Sequence, residues 1–526
     1  MIASQDQETY DVVVIGGGIA GTSTALLLRR ENPSLRVLIV ERSEKFERKV
    51  GEATVEVSGF FFAHVLRMHK ELTHDHLPKH GLRYYFSDGA GRRLETMTEV
   101  GATSSPSIPS FQLDRARLDQ SALELAEAEG AHVLRPARVG AIEHAWPTSR
   151  VQIETESKRT VAAHWVIDAS GRHACLARRM GILEKNTEHP TAAMWGHWSN
   201  TLDLDGTASQ GKAPGDRRLP LVFASRQLAT NHFCGRGWWA WVIPQQSGDT
   251  SIGVVWDTRL FDLPEAETSR ERYEAFVRSQ DGLRELVADA RLQEGEFRLR
   301  RHLSYRPKRY MDRGWALVGD AAAFLDPYYS PGLDHMAMSV FATTRIVGDE
   351  LASRLEQAPL DAAIDLHNDR FRRSFDNWFD ALYRDKYELF GDAELTAAAF
   401  CMDTAMYYVG VVGPVYRDLA ELGIPTLGRE GWKTVLPAKI MRFTNRRLVA
   451  LARKRQKRGT YGRRNADWRM LVQDFGSGRR TLTPAHRKGL RLWLGAELHN
   501  LAGYFRRAQQ SEPLPVSGHP APPQKA

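Results

Sequence analysis

The stretch "YDVVVIGGGIAGTSTALLLRR", residues 10–30, decides the fold of this chain. It has the pattern of a short apolar strand, a glycine turn and a helix rich in Ala and Leu, and a second apolar strand, "RVLIVE", ends at Glu41. Gly16 permits the tight turn, Gly18 lets a pyrophosphate approach the backbone, and Gly21 lets helix and strand pack closely. The helix N-terminus presents free N–H groups to phosphates. This order of elements therefore predicts a dinucleotide-binding βαβ unit, in which Glu41 accepts hydrogen bonds from a ribose hydroxyl.

Bulk properties narrow the class of protein. The chain has 526 residues and a net charge of +8, and it contains no apolar run of about 18 residues that would predict a membrane span. The first residues lack a signal-peptide pattern. Cys175, Cys234 and Cys401 are widely spaced, with no CxxC and no His at metal-ligand spacing. We therefore expect a protein of the reducing cytoplasm, without a disulfide framework or a metal site.

The glycine turn alone is compatible with either NAD or FAD as the cofactor, and three later segments distinguish between the two. "HWVIDASGRHACLARRMG" runs from a strand into Asp168, and "GWALVGDAAAFLDP" ends a strand at Gly319 and Asp320. "FQLDRARLDQSALELAEAEGAHV" places Arg115 at the start of a helix. Each segment alone could be an ordinary connection between a strand and a helix. In this order they resemble the FAD-dependent monooxygenase superfamily, whose fold is that of p-hydroxybenzoate hydroxylase.

The resemblance implies FAD as the cofactor. No second GxGxxG follows a strand, so a separate NAD(P)H domain is not expected. The residues that the resemblance assigns to the flavin site are Gly16, Gly18, Ala20, Gly21, Glu41, Arg42, Glu52, Ala53, Thr54, Arg115, Asp168, Gly319, Asp320, Pro327, Gly332 and Leu333.

A tryptophan-rich strand indicates which chemistry the flavin performs. "GWWAWVIPQQSGDTSIGVV" contains Trp239, Trp241 and the following Ile-Pro as WxWxIP, which resembles flavin-dependent halogenases. The alternative is an ordinary Trp-rich core strand. The resemblance implies that the two indoles form a cavity wall that separates flavin from substrate. "VGEATVEVSGFFF" also resembles the GES/GEAT element of halogenases, at residues 51–54.

Two further elements resemble halogenases that act on phenols and pyrroles. "PKHGLRYYF" resembles their K-x-G-x-x-F element and implies Lys79 as the catalytic lysine. "FLDPYYSPG" follows their Fx-x-Px-x-Sx-G loop, which implies halide or flavin contacts for Ser330 and Gly332. Pro331 departs from the pattern, since it lacks an N–H, and Asp334 places a negative charge nearby. The halide site is therefore the weakest part of the resemblance.

The resemblance implies a complete reaction and its partners. A separate flavin reductase supplies reduced FAD, O2 gives a flavin hydroperoxide, and chloride or bromide is oxidised to hypohalous acid. Lys79 then directs the halogen to an electron-rich, phenol- or pyrrole-like aromatic substrate, free or tethered to an acidic acyl carrier protein. Two alternatives stay open: a single-component FAD/NAD(P)H aromatic hydroxylase, and a catalytically decayed FAD-binding protein.

The predicted fold class is α/β: a Rossmann-like FAD-binding domain (p-hydroxybenzoate hydroxylase-like, GR2-type), an antiparallel substrate-domain sheet and a C-terminal helical region. Alternation of apolar and polar residues predicts the sheet, and three- and four-residue apolar steps predict the helices. The predicted boundaries are 8–190 and 300–355 for the FAD domain, with 75–112 contributing to the sheet, 191–299 for the substrate sheet, 356–510 for the helical region, and 511–526 for a disordered tail.

One basic segment is not explained by the predicted fold and function. Residues 433–464 contain twelve Lys and Arg and no Asp or Glu. No nucleic-acid motif accompanies the charge, so no nucleic-acid partner is expected. A solvated helical face, docking of an acidic carrier protein and a membrane-surface role remain as alternatives.

Overall fold

Two large β-sheets organise the part of the chain that the structure describes. This computed structural model describes residues 8–87, 89, 91, 93–102, 108–205, 224–466, 470–472 and 479–508. The predicted disordered tail, 511–526, lies outside the described residues.

The first sheet grows outward from the strand quoted at the start of the sequence. Its order is β19-β20-β10-β1-β2-β7, with β8 and β9 attached to β10. Strands β20, β10, β1, β2 and β7 pair in parallel. The apolar runs of β20, β10, β1 and β2 are buried on both faces, as is typical of parallel sheets. The strands of this sheet are β1 (Thr9–Ile15), β2 (Val37–Val40), β7 (His132–Leu134), β8 (Arg138–Glu143), β9 (Ser149–Glu154), β10 (Lys158–Asp168), β19 (Met311–Asp312) and β20 (Trp315–Leu317).

The second sheet has the order β16-β12-β15-β14-β13-β4-β5-β21, with β17 beside β12. Its central pairs are antiparallel, as predicted, but β13 pairs with β4 and β21 pairs with β5 in parallel. Neither of these pairs is joined by a hairpin, because each brings together distant parts of the chain. The strands of this sheet are β4 (Leu82–Phe86), β5 (Thr98–Ala102), β12 (Thr191–Ser199), β13 (Thr230–Gly235), β14 (Trp238–Pro244), β15 (Thr250–Asp257), β16 (Arg291–Leu292), β17 (Arg298–Arg301) and β21 (Met470–Val472).

Two short strand pairs lie outside these sheets: β3 (Leu77–Pro78) with β6 (Phe111–Gln112), and β11 (Leu183–Lys185) with β18 (Tyr305–Pro307). The pair β3–β6 positions Leu77 and Pro78, directly before Lys79.

Helices cover the first sheet and form most of the C-terminal third. They are α1 (Ile19–Glu31), α2 (Glu56–Phe60), α3 (His69–Asp75), α4 (Arg115–Ala128), α5 (Cys175–Arg179), α6 (Ser269–Ser279), α7 (Leu283–Leu286), α8 (Gly332–Leu351), α9 (Gln357–Trp378), α10 (Ala393–Tyr407), α11 (Gly413–Arg417), α12 (Trp432–Lys457) and α13 (Arg479–Ala508). Single-turn 3-10 or π segments occupy Phe61–Val65, Leu94–Thr96, Gly171–His173, Gly319–Ala321, Phe379–Tyr383, Lys386–Glu388, Tyr408–Val412 and Leu419–Gly423.

The helical stretch Ala393–Arg417 is long and apolar enough to cross a membrane by length and composition. In this fold 72% of its most apolar window is buried inside the protein, against α12 and α13. Its apolar character is therefore explained by its place in the core.

The α/β fold class, with two sheets and a helical C-terminal region, is confirmed. The domain boundaries stay a prediction, and β21 shows that the C-terminal third also contributes a strand to the second sheet.

Candidate active site

The glycine turn after β1 has the geometry that the sequence predicts for a nucleotide-binding loop. Gly16 has a φ of +104°, and a Cβ there would lie 2.7 Å from the carbonyl oxygen of Ala169. A Cβ on Gly21 would collide with the carbonyl oxygen of Gly16. Both positions therefore require glycine, because backbone occupies the space on either side.

Glu41 directly follows β2, beside this turn. One carboxylate oxygen accepts a 2.7 Å hydrogen bond from the Gly17 N–H, and the other accepts a 2.8 Å bond from Ser43 N–H. The carboxylate is thus held at the position that the motif predicts for a ribose contact. Arg42, also predicted at the site, is exposed.

Charged side chains converge on the N-terminus of α1. Asp119 accepts a 3.2 Å hydrogen bond from Ile19 N–H and pairs with Lys49, and Arg115 donates to it at 3.1 Å. Although burial opposes ionisation, Arg115 and Lys49 hold the pKa of Asp119 below its ordinary value. Arg115 also contacts the carbonyl oxygens of Val50 and Gly51, at 3.2 and 3.3 Å.

The Gly319–Asp320 element reaches the same place from the end of β20, which runs parallel to β10 and β1. Gly319 has a φ of +58°, and a Cβ there would lie 3.2 Å from the Cβ of Ala20 in α1. Burial raises the pKa of Asp320, and Arg172 and Arg115 partly offset that effect. The Arg172 guanidinium lies over the ring of Phe324, 4.6 Å from its centroid. Arg172 was not predicted as a site residue, although it directly follows the quoted Asp168–Gly171 stretch.

These groups fit FAD. Within the described residues, Arg115 Nε and Arg172 Nη1 are buried without a hydrogen-bond partner. Unpaired cationic donors beside a helix N-terminus suit a pyrophosphate, and the Glu41 carboxylate suits a ribose. Asp168 takes a different position: its oxygens accept from Ser170 N–H at 2.9 Å and Leu176 N–H at 2.7 Å, so it caps the start of α5.

The GEAT segment joins the two sheets. Glu52 is buried, and one of its oxygens lies 2.7 Å from His197 Nε2 on β12, while His197 Nδ1 lies 2.9 Å from Glu296. Burial lowers the pKa of His197, but the two carboxylates outweigh burial and raise it. Ala53 forms an isolated bridge with Gln112. His197 was missed because nothing in the sequence near it indicates a carboxylate partner.

Lys79 is buried, with 2% of its surface exposed. Its Nζ donates a 2.7 Å hydrogen bond to the carbonyl oxygen of Thr54, and its backbone N–H donates to the carbonyl oxygen of Ser110 at 2.7 Å. Burial lowers the pKa of the amine to about 8, opposed by the charges of Glu56 and Asp334. Lys79 is therefore not an exposed loop lysine.

Lys79 lines a cleft of about 1550 Å³, measured with its open mouth. The same cleft is lined by Phe324, Pro331 and Gly332 of the FLDPYYSPG loop and by Trp378 at the end of α9. The amine and the predicted flavin loop therefore share one continuous space.

Besides Asp326, which accepts from the Tyr387 hydroxyl at 2.9 Å, three carboxylates line this cleft, and a tyrosine hydroxyl donates to each. Tyr408 donates to Glu56 at 2.5 Å, and Tyr407 donates to Asp334 at 2.7 Å. The third, Asp403, accepts from Tyr329 at 3.1 Å and from Lys386 Nζ at 2.6 Å. Burial raises the pKa of Asp334 to about 6, although Tyr407 and Ser58 lower it by hydrogen bonding. Lys386, Asp403, Tyr407 and Tyr408 come from the C-terminal helical region, for which the sequence predicted no site.

The FLDPYYSPG loop ends in a tight turn. Tyr329 and Ser330 have φ values of 71° and 56°, and Ser330 N–H donates to the carbonyl oxygen of Pro327 at 2.9 Å. Pro331 is the N-cap of α8, so the N–H groups of Gly332 and Leu333 open a helix of 20 residues. The first N–H groups of a helix have no intrahelical partner, so Pro331 leaves two consecutive donors at this helix start.

Trp239 and Trp241 are buried in the core of the second sheet. The Trp239 indole donates to the Tyr387 hydroxyl at 3.1 Å, and the Trp241 indole donates to Ser251 at 3.1 Å. Neither is among the residues that line the cleft. The ring of Tyr328 lies 5.4 Å from that of Trp239, centroid to centroid. The position of these indoles relative to a bound flavin stays a prediction.

Comparison with known proteins assigns this architecture to a family. The tryptophan halogenase family model matches residues 63–394, and an FAD-dependent oxidoreductase model matches residues 11–73. A flavin-dependent halogenase of Dictyostelium discoideum is 28% identical over 449 residues, covering 77% of this chain and 70% of that protein. One of Armillaria mellea is 27% identical over 360 residues, and the match spans 64% of each protein.

A third relative is a chlorinase of 1H-pyrrole-2-carbonyl groups on a peptidyl-carrier protein from Pseudomonas fluorescens, 26% identical over 389 residues, covering 70% of this chain and 82% of that protein. Among solved structures, the halogenase PltM in complex with phloroglucinol and FAD superimposes with a TM-score of 0.70 at 18% identity, covering 92% of this chain and 96% of PltM. That likeness shows the fold. Because the family model spans more than half of the sequence, this chain belongs to the tryptophan halogenase family of FAD-dependent oxidoreductases.

Proposed function

We propose that this chain is a halogenase that uses reduced FAD, O2 and chloride or bromide to halogenate an electron-rich aromatic substrate. The observation that carries the proposal is the position of Lys79. Its buried amine faces the same cleft as the FLDPYYSPG loop. Bound reduced FAD would activate O2 and supply the oxidant for halide.

The charge state of Lys79 favours a hydrogen-bonding role. With a pKa of about 8, the amine is mostly protonated at neutral pH. An ammonium can donate to the oxygen of hypohalous acid and orient the halogen toward the ring carbon, while the oxygen leaves as water. Above pH 8 the neutral amine would predominate and could form a haloamine.

The start of α8 is the proposed halide site. The N–H groups of Gly332 and Leu333 and the hydroxyl of Ser330 would be the donors, supported by the positive end of the helix dipole. Pro331 does not remove a donor that this geometry needs, because it occupies the cap position. The charge of Asp334 would weaken halide binding.

The carboxylates of the cleft define the substrate class. Glu56 and Asp334 accept hydrogen bonds and carry negative charge close to Lys79. They suit a phenol O–H or a pyrrole N–H and disfavour an anionic substrate. Asp334 would also take the proton that the ring carbon releases. Because the cleft opens to solvent, a substrate tethered to a carrier protein could also enter it.

The test is turnover of the purified full-length chain with FAD, an unrelated NADH-dependent flavin reductase, bromide and a panel of free phenols and pyrroles. We expect a product with the isotope pattern of bromine, formed only when the reductase is present. Carrier-bound forms of the same aryl groups would then distinguish free from tethered substrates.

An aromatic hydroxylase is the second candidate, favoured by the negative charge of Asp334 beside the proposed halide site. Rapid reduction of bound FAD by NADPH without a reductase, together with a hydroxylated product, would establish it and exclude halogenation. Stable FAD binding with no turnover in either assay would identify a decayed FAD-binding protein.

A further inference from the structure

Helix α12 exposes large apolar side chains on one face. Its N-terminal residue, Trp432, has 73% of its surface exposed, and Leu436, Ile440 and Phe443 are 52%, 48% and 54% exposed. Steps of three and four residues place these four on the same face of the helix. A water-soluble helix normally buries such a row.

Helix α13 continues this surface. Leu490, Leu494 and Leu498 recur every four residues and are 41%, 52% and 64% exposed. The two helices are in contact, since the Phe443 and Trp493 rings lie 6.1 Å apart. We use the name apolar stripe for the exposed apolar residues of both helices: Trp432, Val435, Leu436, Ile440, Phe443, Leu490, Leu494 and Leu498.

Two groups among the basic residues of these helices differ in their pairing. One group pairs with carboxylates of the protein, and its members are Arg442, Arg447, Arg453 and Arg455. The second group is exposed and, within the described residues, has no carboxylate partner; its members are Lys439, Arg446, Arg487 and Arg491. Because these four recur at helical spacing with the apolar stripe, unpaired cations are interleaved with it.

Helix α13 contains one acidic residue, Glu497, which is paired with Arg447 at 2.7 Å. Helix α12 contains none. The exposed face therefore has a uniform positive charge.

This combination fits an anionic lipid surface. Interfacial helices bury Trp, Phe and Leu at the boundary of the acyl chains while Lys and Arg contact anionic headgroups. A symmetric homodimer would face like charges across its axis, which opposes it. An acidic carrier protein would satisfy the charge, but it would not require large apolar side chains along about 17 Å of one helix and about 12 Å of another.

We propose that the apolar stripe and its interleaved cations dock this protein reversibly on an anionic lipid surface. The inference rests on α12 and α13 and does not depend on the proposed function.

The test is co-sedimentation of the full-length chain with phosphatidylcholine vesicles that contain or lack phosphatidylglycerol. We expect the anionic vesicles to bind the protein about tenfold more strongly, with the difference shrinking as salt rises. Equal binding to both kinds of vesicle, or none to either, would overturn the proposal.

Two variants separate the apolar and the charged contributions. W432S/L436S/I440S and K439E/R446E/R491E should each weaken binding to anionic vesicles about tenfold or more. W432S alone, a single exposed position, should weaken it measurably even if the triple variant folds poorly. L366S and K70E, at exposed positions away from α12 and α13, are the matched controls and should bind as wild type does.

Circular dichroism and thermal melting establish that the variants are folded. If sedimentation velocity shows a dimer that W432S/L436S/I440S dissociates, the stripe is a contact between copies and the lipid proposal fails. It also fails if folded variants bind anionic vesicles as wild type does.

Discussion

The nucleotide-binding turn and the cleft around Lys79 are built in opposite ways. The turn lies within one continuous stretch, residues 10–41, and its shape depends on backbone contacts such as that of Gly21 with Gly16. The cleft takes its side chains from distant segments, such as those of Glu56 and Tyr408, which are separated by 352 positions. A local backbone motif is therefore visible in sequence, whereas the chemistry of an assembled cleft depends on which distant segments meet.

The sharpest test of the cleft is Lys79→Met. We expect halogenation to fall about a thousandfold or more, because the group that directs the halogen is removed from a buried site. FAD binding, followed by the visible absorbance of the flavin, and oxidation of reduced flavin should stay as in wild type. K70M, at an exposed lysine, is the control.

If K79M keeps its rate of halogenation while K70M is also unaffected, the cleft is not where the halogen is delivered. Loss of FAD from K79M would instead mean that the cleft and the nucleotide site are not separable.

The matching test of the turn is Gly21→Ala. The added Cβ collides with the Gly16 carbonyl oxygen, so the turn must open and the FAD dissociation constant should rise about a hundredfold. Fluorescence of free flavin after gel filtration measures this loss. Gly495→Ala serves as the control, since a Cβ there meets nothing within 4 Å and Ala favours a helix. A G21A protein that retains FAD as tightly as wild type would contradict the backbone account of the turn.

Arg455→Gln tests the paired part of the basic helix. Arg455 bonds both oxygens of the buried Asp392 at 2.9 Å and Glu394 at 2.7 Å. Removing the guanidinium leaves two buried carboxylates without their cation, and we expect a loss of about 3 kcal/mol in the free energy of unfolding, measured by urea denaturation. The exposed Lys454, changed to Gln, should lose little. If the urea midpoint of R455Q equals that of wild type, the ion pairs of Arg455 do not stabilise the fold.

Asp334→Asn gives a smaller effect that depends on pH. Burial raises the folded pKa of Asp334 to about 6, so the proton stabilises the fold at low pH and that stabilisation is lost as pH rises through 6. Asn keeps a neutral side chain at every pH, and the variant should gain up to about 2 kcal/mol over wild type at pH 8. Thermal melting should show this difference in stability between the variant and wild type disappearing below pH 4. A stability difference that is the same at pH 8 and below pH 4 would exclude titration of Asp334 as its cause.

The features that could be predicted from the sequence are those formed by one continuous stretch of chain, and those assembled from distant segments could not. The strand–turn–helix order, Glu41 and the loop at Phe324–Gly332 could be predicted, because each depends on residues near one another in the chain. Lys79 was found through a resemblance, and its burial could not be deduced from the residues near it in the chain. His197 and Arg172 were missed, because their partners lie on other elements.

The basic segment shows why charge counts mislead. Docking of an acidic carrier protein is one explanation of this charge that the sequence offers, and reversing the charges of Arg453, Arg455 and Arg458 would be a direct test of it. In the fold, Arg453 and Arg455 bond carboxylates, and Arg458 donates to the backbone and side-chain oxygens of Asn500 at 2.8 and 2.6 Å. Reversing them would disturb the fold itself, so a loss of activity would say nothing of a partner.

The short strand Met470–Val472 has a practical consequence for anyone who trims this protein. It pairs in parallel with Thr98–Ala102 and forms the outer edge of the second sheet. Cutting the chain before residue 470 would uncover a row of backbone donors and acceptors on its neighbour, which invites other chains to add there. Shortened versions should therefore precipitate even if every residue that touches flavin is retained.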